Sequence, residues 1–233
     1  MIEFESKIGQ ALYLKRDSEK AKFLAGFFKT GPGEYAEGDQ FLGVQVPEVR
    51  KLIPKFKKIT SEEDMLYLIK SPWHEARLLG LLLLVEKIKH DPGGDTWPKI
   101  YLQNLKYVNN WDLVDVTAPK ALGEYFRKRE KSELFRLALS SDLWENRIAI
   151  LTTMAFVKNQ DYETTLKLAE KFLTHPHDLI HKASGWLLRE VGKKNKSVLL
   201  DFLNKFHSKM PRTMLRYAIE KFPEIERKNW MSK

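Results

Sequence analysis

Residues 71–85, S-P-W-H-E-A-R-L-L-G-L-L-L-L-V, hold the key to the fold. Ser71-Pro72-Trp73 reads as a helix opening, Arg77 stands four residues after Trp73, and an apolar helix follows. The arrangement recurs as N-N-W-D-L-V-D from residue 109, D-L-W-E-N-R from 142, H-D-L-I-H-K from 177 and M-P-R-T-M-L-R from 210, with starts 33 to 38 residues apart. Each opening precedes another apolar helix, and further helical runs lie between them at 97–106, 133–139, 162–172 and 197–206. Two helices per unit at this period predict an all-α chain, a right-handed α-solenoid of HEAT-like helical repeats with a concave basic groove, its units somewhat shorter than is usual. No segment alternates with the period of a strand.

The remainder of the chain fits a single HEAT-like domain over residues 1–233. From about Glu3 to Phe28 the pattern gives one or two helices, with Asp17 as a cap before Ala21, Phe23, Leu24, Phe27 and Phe28. Residues 30–39, T-G-P-G-E-Y-A-E-G-D, break any helix, and Tyr35 stands alone among their glycines. Their glycine spacing matches neither a P-loop nor a dinucleotide fingerprint, so the segment reads as a mobile Gly-rich loop. Pro47 suits the first turn of a helix carrying Val49, Leu52, Ile53 and Phe56, which Pro54 should end or kink. Thr60 or Ser61, followed by Glu63 or Asp64, is a capping signal for a helix through Ile69.

Composition narrows the class of function. There is no cysteine, which removes disulfides, thiolate metal sites and cysteine nucleophiles and suits a reducing compartment. The run from Leu78 to Val85 is far shorter than a membrane span, and the N-terminus lacks the basic then apolar order of a signal peptide, so a soluble cytoplasmic protein is expected. The net charge is +9, unevenly spread. From His181 to Lys233 thirteen Lys or Arg stand against five Asp or Glu, a balance of +8 that leaves about +1 to the first 180 residues. Such polarity suits a polyanion, with a phosphate backbone the commonest candidate; a solvated lysine-rich tail is the plainer reading.

Registering the repeats aligns Arg77, Asp115, Arg147 or its neighbour Ile148, Lys182 and Arg216, a basic column interrupted by one acid. Trp73, Trp111 and Trp144 form a second column about one turn earlier, and Trp186 lies one turn after Lys182. Cations beside tryptophan faces suit a nucleic-acid backbone and its sugars or bases. For Trp73 and Trp144 the packing of one helix pair on the next is the better account, whereas Trp111 and Trp186 have charged neighbours on their own face. Asp115 reads either as a carboxylate held in a site or as an acid that caps, pairs with an arginine or faces water; flanking cations would favour its ionised form. The six histidines fit no metal pattern, and no metal is expected.

Four segments, F-L-G-V-Q-V-P-E-V-R at 41–50, N-W-D-L-V-D at 110–115, L-W-E-N-R-I-A-I-L at 143–151 and I-H-K-A-S-G-W-L-L-R-E at 180–190, together resemble the AlkD branch of DNA alkylation-repair glycosylases, which are HEAT-like repeat proteins. The resemblance implies a monofunctional glycosylase that hydrolyses the N-glycosidic bond of cationic alkylpurines, 3-alkyladenine and 7-alkylguanine, in duplex DNA, without a cofactor and as a monomer. It implies that Asp115 is the catalytic aspartate, that Trp111 and Trp186 contact the damaged nucleotide, and that Arg147 holds the backbone. Arg77, Lys182, Arg189, Arg212 and Arg216 would add phosphate contacts. Some members carry a tyrosine where this chain has Phe27, which offers no hydroxyl. The reading from a different class is a non-catalytic HEAT-like scaffold that binds nucleic acid or an acidic protein partner.

Overall fold

The computed structural model describes Phe4 and residues 6–232; Glu3, where the first helical segment was expected to begin, lies outside them. Among the described residues the regular structure is helical, with one isolated bridge between Gln40 and Trp73 and no strand. The chain forms two compact units, Met1–Leu113 and Val114–Lys233. In each, helices pack on their neighbours in sequence, as the helix pairs of an α-solenoid do. No described helix is long and apolar enough to cross a membrane.

In the first unit the helix His74–His90 is central, packed against Glu62–Ile69, Val46–Phe56 and Thr96–Gln103. Its residues from His74 to Val85 are buried without interruption, because a helix apolar on every side must be covered on every side. Gly80 permits a close approach: a methyl group there would stand 2.8 Å from the Ile69 nitrogen. The local start signals act as expected. Asp17 accepts from the amides of Glu19 and Lys20, Ser61 accepts from that of Asp64, and Pro47 sits in the first turn of Val46–Phe56. Pro54 does not end its helix: it lies inside Val46–Phe56, and the Lys57 amide still reaches the Ile53 carbonyl, because a proline removes only its own donor from the ladder.

The segment 30–39 differs from the mobile loop that its glycines suggest. The Thr30 amide reaches the Ala25 carbonyl, Ala36 returns to Lys29, and Gly38 to Thr30. Ala36 is buried, and Asp39 is held by His74 and Arg77. Just beyond, the buried carboxylate of Glu75 accepts from three consecutive amides, Leu42 and Gly43 at 2.8 Å and Val44 at 3.0 Å. Gly43 has φ +82°, and a Cβ there would collide with the Asp17 carbonyl, so glycine is required on both counts. The aromatics after Asp17 also depart from expectation: Phe23 and Phe27 are exposed and only Phe28, just past the helix, is buried.

In the second unit the helix Asp178–Lys194 is the hub, packing against Arg212–Ala218, Lys196–Phe206, Leu143–Thr152, Met154–Lys158 and Glu163–Lys171. Leu143–Thr152 is capped by Asp142, which accepts from the amides of Trp144 and Glu145, and Trp144 is buried as a packing residue. Gly185 lies where Arg212–Ala218 comes closest: a Cβ would meet the Met214 carbonyl oxygen at 2.5 Å and the Tyr217 Cβ at 2.6 Å. The next residue along the helix is Trp186.

Candidate nucleic-acid interface

The helix Trp111–Ala121 carries the two residues that the sequence singles out most sharply, Trp111 and Asp115, one turn apart. Its first turn is fixed locally. The Asn110 Oδ1 accepts from the Trp111 amide at 2.8 Å, and the Asp112 Oδ1 accepts from the Leu113 amide at 2.8 Å.

Within the second unit Asp115 meets Arg147 of the helix Leu143–Thr152. The guanidinium grips both carboxylate oxygens, Nε to Oδ1 at 2.8 Å and Nη2 to Oδ2 at 2.7 Å, while Nη1 donates to the Leu179 carbonyl at 2.5 Å. Arg147 is 5% exposed, and the Asp115 side chain keeps 16% of its surface open. A planar fork on a carboxylate fixes orientation as well as charge. Arg147 is thus a holder of the aspartate in this structure, where the family likeness alone casts it as a backbone contact.

The cations of this unit fall into two groups. Arg189 is drawn to Glu220 and lies 3.5 Å from Glu190, and Lys182 pairs with Asp178 at 2.8 Å while remaining accessible. Burial opposes ionisation of Asp178, but hydrogen bonds from Lys182 and Thr213 and the charges of Lys182 and His181 outweigh it and hold the carboxyl below its usual range. Arg212 and Arg216 are exposed and make no ion pair among the described residues. Trp186 is half-buried on the helix that also bears Lys182 and Arg189. Near the start of this helix burial lowers the pKa of His177, with Arg147 and Lys182 among the charges that add to the effect.

Within the first unit Trp111 is half-buried against an aromatic group that the sequence does not announce. Its ring lies 5.3 Å from that of Phe28 and 6.1 Å from that of Phe27, and its Nε1 donates to the Tyr35 hydroxyl at 3.3 Å. Tyr35, which the sequence leaves alone in its loop, supplies a hydroxyl beside Trp111 that Phe27 lacks. Arg77 turns inward. It is 4% exposed, with Nη2 on Asp39 Oδ1 at 2.5 Å and Nη1 on the carbonyls of Ser71 and Pro72, so its charge is neutralised inside the unit and its guanidinium does not face solvent as a phosphate contact would. Among the described residues no group of three or more His, Asp or Glu is arranged around a metal-sized site.

Comparison with known proteins agrees with this architecture. A solved structure from Enterococcus faecalis, described as a predicted DNA alkylation repair enzyme, is similar to this chain with a TM-score of 0.71 and 16% identity, over 90% of this chain and 98% of that one. At that identity the likeness speaks for the fold. No curated protein matches the chain. The family model described as DNA alkylation repair enzyme matches residues 8–222, nearly the whole length, and the chain therefore belongs to the DNA alkylation repair enzyme family.

Proposed function

We propose that the chain is a monofunctional DNA glycosylase that releases cationic alkylpurines, 3-alkyladenine and 7-alkylguanine, from duplex DNA. One observation carries the reading: the carboxylate of Asp115, one helical turn after a half-exposed tryptophan, is gripped at both oxygens by the buried Arg147 yet keeps part of its surface exposed.

The chemistry asks for little more. A purine alkylated on a ring nitrogen already carries positive charge, so when its bond to the sugar breaks the electron pair neutralises the base and no strong general acid is needed. The sugar meanwhile acquires oxocarbenium character. A carboxylate already fixed by Arg147 presents negative potential to that charge without reorganising during the reaction. Its exposed edge, 16% of the side-chain surface, suits a water whose oxygen bonds to the anomeric carbon while its proton passes to the carboxylate or to solvent. The family likeness makes Trp111 and Trp186 the nucleotide contacts, and the face of an indole attracts positive charge. Lys182, Arg212 and Arg216 are the accessible cations for phosphate; Arg77 and Arg189 are already engaged by acids. No cofactor enters any step.

Base release from methylated duplex DNA tests the reading. Wild type should liberate 7-methylguanine and 3-methyladenine, and Asp115→Asn should slow release roughly a hundredfold while leaving the duplex-bound fraction unchanged. No release by wild type, or equal release by the variant, overturns it.

The internal engagement of Arg77, Arg147 and Arg189 favours a second reading, a non-catalytic scaffold for nucleic acid or an acidic protein, in which the Asp115–Arg147 pair is structural. In that case Trp111→Ala would weaken binding no more than Trp144→Ala and no base would be released.

A further inference from the structure

His74 is buried, 2% exposed, at the start of the helix His74–His90, and both of its ring nitrogens face carboxylates. Nδ1 lies 2.9 Å from Asp39 Oδ2 and Nε2 lies 2.9 Å from Asp112 Oδ2. A neutral imidazole has one N–H and can satisfy only one of these acceptors; the imidazolium satisfies both. Charge gives the same answer. The charged groups around the ring are Asp39 from the glycine-rich loop, Asp112 from the helix Trp111–Ala121 and Arg77 from its own helix, while the Glu75 carboxylate is turned to the amides of residues 42–44. Two acids and Arg77 leave one negative charge uncompensated in a buried cluster unless His74 is protonated.

The ring also sits at the centre of an aromatic stack that ends at Trp111. Phe41 stacks on His74 at 4.6 Å, and Phe28 touches His74 at 5.0 Å, Phe41 at 5.2 Å and Trp111 at 5.3 Å. Asp112, which His74 holds, is the residue after Trp111, and Tyr35, whose hydroxyl accepts from the indole, belongs to the loop that Asp39 closes.

We propose that His74 is a positioning residue for Trp111: as a doubly donating imidazolium it ties the 30–39 loop to the first turn of the Trp111 helix and thereby sets the orientation of the indole. Its bearing on catalysis rests on the glycosylase reading; its bearing on the indole does not. Burial alone would make the ring harder to protonate, but the hydrogen bonds and charges of Asp112 and Asp39 outweigh it and raise the pKa to about 9.

Fluorine NMR of protein labelled with 5-fluorotryptophan tests the proposal without DNA. Of the six tryptophan resonances, the one removed by Trp111→Phe should shift with pH between about 7 and 10, with its midpoint near that of His74, and His74→Gln should displace it and abolish the titration. A Trp111 resonance indifferent to both, in folded protein, overturns the proposal. Should His74→Gln not fold, Asp112→Asn serves: with one acid removed the Trp111 midpoint must move to lower pH, and an unmoved midpoint is equally fatal. In single-turnover base release, folded His74→Gln should be slowed roughly tenfold at saturating protein with binding of undamaged duplex unchanged. If Trp111 follows His74 but wild type releases no base, the glycosylase reading falls and the positioning role stands; if wild type is active and His74→Gln releases base at the wild-type rate, the catalytic bearing of His74 is refuted.

Discussion

Asp115 and His74 show how differently a single ionisable side chain is used within one chain. Asp115 is held at both oxygens by one guanidinium and stays partly open. His74 is closed off between two carboxylates, and its protonation is tied to the folded state. Its pKa is about 9 when folded against 6.5 when exposed, so the folded protein binds this proton more tightly than the unfolded chain. The stabilisation is therefore full below pH 6.5, declines between pH 6.5 and 9, and is lost above that range; its full size is about 3 kcal/mol. Thermal melting followed across this window should show a midpoint falling by roughly 5–10 °C, and His74→Gln should remove that decline. A wild-type midpoint that holds level through pH 9 would contradict the protonated ring.

At the scale of helices, what the sequence disclosed was local chemistry. Asp17 and Ser61 cap helices because an oxygen two or three residues before an unsatisfied amide needs no help from the rest of the chain. The recurring openings found the helices of each pair for the same reason, and Trp144 took its packing role within them. Partners distant in sequence were not legible. Asp39 and Arg77 are 38 positions apart, and nothing in T-G-P-G-E-Y-A-E-G-D indicates that its last residue neutralises an arginine on a later helix. The column of cations was accordingly readable as residue types, while the inward turn of Arg77 and the hold of Arg147 on Asp115 depended on tertiary contacts. Phe23 and Phe27 fitted a helical apolar pattern yet stayed exposed, since periodicity gives a face but not what covers it. Close helix contact is likewise a tertiary property, and Gly185 offers its test. Gly185→Ala places a methyl group against the Met214 carbonyl and should cost about 1–3 kcal/mol in urea denaturation, with the emission of the adjacent Trp186 altered. A fully stable variant would mean that Arg212–Ala218 is free to shift.

For the molecule as a whole, the uneven charge matters more than its total. The basic excess of residues 181–233 contains cations of unequal availability: Arg212 and Arg216 are exposed without ion pairs among the described residues, Lys182 shares its charge with Asp178, and Arg189 is drawn to Glu220. If duplex DNA is the partner, log–log plots of affinity against salt should lose about one unit of slope for each of Arg212→Ala and Arg216→Ala. Arg189→Ala should leave the slope nearly unchanged. Equal losses for all three would show that the acid partners yield to phosphate on binding.

The grip of Glu75 on three successive amides has a kinetic corollary. Leu42, Gly43 and Val44 lie outside any helix, where backbone protons ordinarily pass to solvent within moments, yet each is bound to a carboxylate that is itself sealed beneath a helix start. In hydrogen–deuterium exchange this short stretch should retain its protons as long as the interior of His74–His90, so that a segment without regular structure reports the opening of the entire first unit.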